Sequence, residues 1–173
     1  MFDHTSSGTT LKWLSIVDES TRECLTLKVD RSITSEDVID TLAELFAMRG
    51  VPRGIRSDNG PEFIARSLQR WLSHVAVEIL FIESGSPREN GYAECFHSRF
   101  RDGFLAIKEF ESLTAARRLS TQWQHDDNHH RPHNSLEYLT PVKFAARCAA
   151  STPEKSSAAS QPSLRSSSPA VLT

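Results

Sequence analysis

Asp58 and Glu94 are the two side chains whose type and setting best suit chemistry. Asp58 stands in Arg56-Ser57-Asp58-Asn59-Gly60-Pro61-Glu62-Phe63. Glu94 closes Ser86-Pro87-Arg88-Glu89-Asn90-Gly91-Tyr92-Ala93-Glu94, with thirty-five residues between the two carboxylates. Oxygen ligands brought together from separate segments suit a hard divalent ion such as Mg²⁺, which keeps several waters of its own. Metal ions held by carboxylates can in turn drive phosphodiester chemistry. Asp-Asn-Gly alone is an ordinary turn sequence, and a Glu on a helix is an ordinary solvated residue. The pairing at this spacing favours the metal-binding reading over both.

These carboxylates need elements to hold them. Leu11–Val17 and Cys24–Val29 are rich in apolar and β-forming residues and flank the polar turn Asp18-Glu19-Ser20-Thr21-Arg22, so they read as paired strands. Thr5-Ser6-Ser7-Gly8 is a further turn, which leaves Met1–His4 as a short strand before it. Thr34 with Asp37 resembles a capping box, and Val38, Ile39, Leu42, Leu45 and Phe46 follow at helical spacing until Gly50 and Pro52. A short strand around Ile55 leads to Asp58. Ile64, Leu68, Trp71, Leu72 and Val75 predict one amphipathic helix, and Val77–Ile82 another strand.

Ser86-Pro87-Arg88-Glu89 is a strong helix start, with Ser as cap and Pro at the first helical position. Glu94 then falls almost two turns into that helix. Asn90, His97, Ser98 and Arg101 share its polar side, while Phe96, Phe100 and Phe104 form a core stripe on the other. Another helix is expected from about Ser112 to Asp126. Strands first, then alternating helices and strands, predict an α/β domain over residues 1–150, with helices packed on a mixed sheet. Residues 151–173 are rich in Ser, Ala and Pro and are expected to form a disordered tail.

Composition narrows the class. A hydrophobic share of 38% and a charged share of 24% over 173 residues describe one soluble globular domain, and no apolar run reaches the length of a membrane span. Met1–Thr10 carries no secretory pattern, so a cytoplasmic location is expected. Cys24, Cys95 and Cys148 are scattered, which argues for reduced thiols and against a zinc ribbon. The net charge of −2 gives no global support for a nucleic-acid partner. Yet seven Lys or Arg residues and five of the seven His fall between Ser86 and His133, enough for a local phosphate-binding face or a solvated helix surface. His125, His129, His130 and His133 invite a zinc site, but structural zinc sites usually include Cys. Trp13, Trp71 and Trp123 are read as core residues.

Ser57-Asp58-Asn59-Gly60-Pro61-Glu62-Phe63, the interval to Glu94, and Arg131-Pro132-His133-Asn134-Ser135-Leu136 together resemble one known family. It is the integrase catalytic core of bacterial insertion-sequence transposases, encoded in their second reading frame (OrfB type). These are acid-triad relatives of retroviral integrases (the DDE superfamily), and the likeness covers about Phe2 to Ala150. The resemblance implies a ribonuclease H-like fold and a DNA strand cleavage and transfer activity that depends on Mg²⁺, with Mn²⁺ as substitute. Asp58 and Glu94 match the second and third acidic ligands. Asn59 and Gly60 would shape the turn beneath Asp58, while Asn90 and Gly91 would let a DNA backbone approach Glu94. Arg88, His97 and Arg101 would contact phosphate.

The family's first Asp lies on its first strand, just before a Phe-x-Phe-Asp-like stretch. Phe2-Asp3 matches the end of that stretch, which places the ligand before Met1. Asp3 is offset by four residues, about 13 Å along a strand, and does not replace it. Asp18 matches a position that is not a ligand. The resemblance thus implies a catalytic core with its first carboxylate outside these residues, and reduced or no activity alone. Its partners would be element-end and target DNA and, in an oligomer, a second copy or a full-length transposase, in the nucleoid and away from membranes. The alternatives are an inactive DNA-binding or dimerising relative and, less favoured, a ribonuclease H-like nuclease with another substrate.

Overall fold

The computed structural model describes residues 1–82, 87–150, 165–166 and 170–172. Along the chain, Phe2–His4 (β1), Thr10–Asp18 (β2) and Cys24–Asp30 (β3) form an antiparallel meander. Helix α1 (Ser35–Arg49), strands β4 (Val51–Pro52) and β5 (Gly54–Ser57), helices α2 (Pro61–Ile64) and α3 (Arg66–His74), and strand β6 (Glu78–Phe81) follow. Helices α4 (Pro87–Gly103), α5 (Leu113–His129) and α6 (Pro141–Ala150) precede β7 (Arg165–Ser166) and β8 (Ala170–Leu172). The main sheet runs β1-β2-β8-β5-β6, with β3 on the outer edge of β2. It is mixed: β8 is antiparallel to β2 but parallel to β5, and β5 is parallel to β6.

Each face of the sheet carries its own core, as alternation along β2 requires. Leu14 and Ile16 pack with Leu42 and Leu45 of α1, Ile55, Phe63, Leu68, Leu72 and Leu172. Leu11, Trp13 and Val17 pack on the other side with Phe96, Phe100, Phe104, Phe110 and Trp123. The Phe stripe of α4 is buried as its spacing predicts, each ring 1% exposed, and Phe100 meets Trp123 edge-on at 5.0 Å. Trp13 buries its ring and donates Nε1–H to Ser120 Oγ at 2.9 Å, which ties β2 to α5. Trp71 stacks on Phe46 at 5.5 Å.

Local signals explain the boundaries. Thr34 and Asp37 complete the expected capping box, the Asp37 carboxylate accepting from the Thr34 backbone at 2.9 Å. Gly50 closes α1 at φ 84°, a conformation that suits glycine. One expectation is corrected: Ile64–Val75 is not part of a single helix, because Ala65 is extended between α2 and α3. Five residues on a continuous helix would turn Phe63 and Leu68 well apart. The break resets the phase, so both enter the core at 2% and 0% exposure. Helix α6, which the sequence did not announce, starts at Pro141.

The expected structureless tail covers residues 151–173. Of these, 151–164, 167–169 and 173 lie outside the described residues, whereas 165–166 and 170–172 are strands. Ala-Val-Leu is the short apolar run in that Ser-rich stretch, and burial on the sheet to 7%, 2% and 0% exposure accounts for its order. Among the described residues, no helix is long and apolar enough to cross a membrane.

Candidate active site

Asp58 follows directly on β5, at the carboxyl end of a parallel strand, where open α/β sheets place their sites. Its Oδ1 accepts from the Gly60 N–H at 2.9 Å, so the Asp-Asn-Gly turn fixes one oxygen and leaves the other available. A Cβ on Gly60 would lie 3.0 Å from that same Oδ1 and 3.1 Å from the Phe63 ring, so any side chain there crowds the Asp58 carboxylate. Asn59 donates Nδ2–H to the Ile82 carbonyl at 3.0 Å, and the Ile82 N–H donates to the Ser57 carbonyl at 3.0 Å. The turn is thereby tied to the end of β6.

Glu94 lies exposed on α4, on the side away from the buried Phe stripe, as expected. On that face His97 is half-buried one turn later, and Arg101 is exposed two turns later. Burial, then the positive charges of the Met1 amine and Arg101, lower the His97 pKa to about 4, so the ring is neutral at physiological pH. The side chains of Arg88 and Asn90 lie outside the described residues.

The Met1 amine packs against β2. It donates to the Trp13 carbonyl at 3.2 Å and also feels Asp58, Lys12 and Glu62. Burial lowers its pKa, against the opposing pull of Asp58. Asp58 stands at the end of β5, and Glu94 and His97 lie one helical turn apart on α4. Two further residues escaped the sequence reading. Glu62 accepts a salt bridge from Lys12 at 2.7 Å, with side chains only 10% and 13% exposed. Its other oxygen, Oε2, is buried with no partner. Glu62 stands inside the quoted motif, but only the fold reveals that Lys12 of β2 faces it. An orphaned carboxylate oxygen beside Asp58 is a donor set of the kind a hard divalent ion takes.

Arg131-Pro132-His133 serves a different purpose. Asp127 is wholly buried, and its carboxylate lies 3.4 Å from Arg99 of α4, 3.4 Å from Arg131 and 3.7 Å from His133 Nε2. The buried carboxylate, paired with the guanidiniums of Arg99 and Arg131, ties the helix bearing Glu94 to α5. Asn128 ties α5 in turn to β3: it accepts from the Cys24 N–H at 2.8 Å and donates to the Cys24 carbonyl at 2.9 Å. The four-His cluster is divided, with His133 buried at Asp127 and His125, His129 and His130 exposed. Among the described residues, the one grouping of three His, Cys, Asp or Glu ligand atoms within 4.8 Å is His125, Asp126 and His130. Asp3 and Asp18 are occupied locally, Asp3 by the His4 N–H and Asp18 by the Ser20 and Thr21 amides. Cys24, Cys95 and Cys148 form no disulfide.

A mixed sheet flanked by helices, with one acidic residue at a parallel strand end and another on the following helix, is a ribonuclease H-like core. The integrase core domain matches this chain twice, over residues 2–87 and 75–141, and the chain belongs to that integrase core family. It is 37% identical over 147 residues to an insertion element IS407 protein of Burkholderia multivorans, covering 85% of this chain and 53% of the relative. An insertion element IS476 protein of Xanthomonas euvesicatoria is 38% identical over 146 residues, covering 84% and 42%. The chain therefore spans about half the length of the curated relatives it matches. Among solved structures, the HTLV-2 integrase catalytic core domain in complex with magnesium superposes with a TM-score of 0.62 at 15% identity, covering 83% of this chain and 91% of that one.

Proposed function

We propose that this chain is the catalytic core of an insertion-element transposase that cuts and joins DNA strands with a divalent ion, Mg²⁺ or Mn²⁺, held by Asp58 and Glu94. The observation that carries the reading is the Asp58 carboxylate at the end of parallel strand β5, with one oxygen held by the Gly60 amide and the other left for a ligand, in a chain of the integrase core family. A divalent ion bound there would neutralise phosphate charge and help ionise the attacking oxygen. Asp58 contributes its unfixed oxygen, and the Gly60 amide and the Lys12–Glu62 pair hold the turn that aims it. Arg101 and Arg88 supply positive charge to the DNA backbone, and Asn59 and Asn90 supply amides. Neutral His97 contributes a hydrogen bond rather than a charge. Element ends and target DNA are the substrates, and a homo-oligomer or a full-length transposase is the assembly.

One observation favours a second reading. Among the described residues, no third carboxylate joins Asp58 and Glu94 in a close ligand group. On that reading the chain binds DNA or a transposase partner without cutting. Incubation with supercoiled plasmid and Mn²⁺ separates the two. Nicking that disappears in Glu94→Gln and Asp58→Asn supports the catalytic reading. DNA retention without nicking supports the second, and equal nicking by all three proteins refutes the site.

A further inference from the structure

We propose that the C-terminal end of α5 carries a second metal site, a surface site for a borderline divalent ion such as Zn²⁺, made by His125, Asp126 and His130. The claim concerns this helix end alone and holds whether or not Asp58 binds metal. Asp126 Oδ1 lies 3.9 Å from His125 Nδ1 and 3.4 Å from His130 Nδ1, and the three ligand atoms all fall within 4.8 Å of one another. Zinc binds imidazole nitrogen and carboxylate oxygen at about 2.0–2.2 Å, so neighbouring ligands of a tetrahedral ion stand roughly 3.4 Å apart. The His130–Asp126 edge already has that length, and the His125–Asp126 edge is only slightly longer.

The helix end beneath these side chains is already fixed. Asp127 ties it to α4 through Arg99, and Asn128 ties it to β3 through Cys24. The Asp126 carbonyl accepts from the His130 N–H at 2.9 Å and the Arg131 N–H at 3.1 Å, which sets where His130 leaves the helix. Only side-chain torsions remain to be ordered on binding, so the entropic cost is small. The His129 ring stacks on His125 at 4.2 Å, 15° from parallel, and its Nδ1 is engaged by the His125 carbonyl at 3.0 Å. His129 therefore steadies the His125 ring and stays outside the ligand set. The donors choose the ion: imidazoles suit Zn²⁺, Cu²⁺ or Ni²⁺, whereas Mg²⁺ takes oxygen ligands. His125, Asp126 and His130 are all exposed, and three protein ligands leave a fourth place for water. This is thus an open site and not the closed, Cys-containing kind. The bound ion joins the last turn of α5 to His130, where the chain turns into Arg131-Pro132-His133 at Asp127.

Calorimetric titration of the untagged full chain with Zn²⁺, in excess Mg²⁺ to compete at carboxylate sites, tests the proposal. Wild type is expected to bind one equivalent, with the imidazole resonances of His125 and His130 shifting together. His125→Gln and His130→Gln are each expected to weaken binding at least about tenfold, since losing even an outer-shell partner commonly costs that much. His129→Gln and the Asp58→Asn/Glu94→Gln double variant are expected to keep the wild-type affinity. No Zn²⁺ binding by wild type would overturn the proposal. So would binding that survives in both His125→Gln and His130→Gln but disappears in the double variant, because the ion would then sit at the carboxylates. A loss in His129→Gln with none in His130→Gln would place the ion on the stacked His125–His129 pair and equally refute the site.

Discussion

His97 gives the sharpest prediction about the site, because its neutral state couples the active-site face to folding. In the folded chain its pKa lies at about 4, lowered first by burial, then by the Met1 amine and Arg101. In the unfolded chain an imidazole titrates near 6.5. The unfolded state therefore binds a proton that the folded state refuses. The contribution is intact above about pH 6.5, is lost progressively as pH falls towards about 4, and is constant below that. At about 1.4 kcal/mol for each pH unit between the two values, the loss amounts to at most about 3.5 kcal/mol. Other groups titrate over the same range, so the test is a difference. Urea unfolding of wild type and His97→Gln from about pH 7.5 to about pH 4 should show their stability gap shifting by about 2–3 kcal/mol in favour of the variant. The imidazole resonances should also report a pKa well below 6.5. A gap that stays flat across this range would show that His97 is solvated, and the neutral contact assigned to it in DNA binding would fall with it.

Three further outcomes follow from the packing. Phe100→Ala, in the centre of the ring cluster between α4 and α5, should cost about 3–5 kcal/mol by urea titration, and a loss under 1 kcal/mol would mean the cluster is loosely packed. Asp127→Ala strands Arg99 and His133 in a buried setting and should cost about 3–5 kcal/mol, with near-UV circular dichroism reporting the displaced α4; a neutral result would deny the lock between α4 and α5. Gly60→Ala should fold but move Asp58, since its Cβ meets Asp58 Oδ1 at 3.0 Å. Wild-type plasmid nicking by that variant would show that the turn does not aim the carboxylate.

Sequence pattern revealed the elements well where periodicity and caps agree. The capping box at Thr34, the alternation along Leu11–Val17 and the Phe stripe of α4 each express one local rule, and each appears as expected. Misses arose where tertiary contacts decide. Ala65 is a good helix former, yet it is extended because Phe63 and Leu68 must reach the same core. Ala170–Leu172 has too few apolar residues to order itself and gains order only in the slot between β2 and β5. At the site, motif spacing singled out Asp58 and Glu94. The Lys12–Glu62 pair joins segments fifty residues apart, and Asp127 becomes a hub only once α4 and α5 pack. Pairings of that kind carry no local sequence mark.

The account turns on Asp58 and Glu94 sharing one divalent ion. Titration of the isotopically labelled chain with Mn²⁺ reads this directly, because a paramagnetic ion broadens resonances near it. The account predicts that the signals of Asp58 and Glu94 broaden together at low Mn²⁺, and that both effects vanish in Asp58→Asn. Broadening confined to His125, Asp126 and His130, with Asp58 and Glu94 untouched, would contradict it.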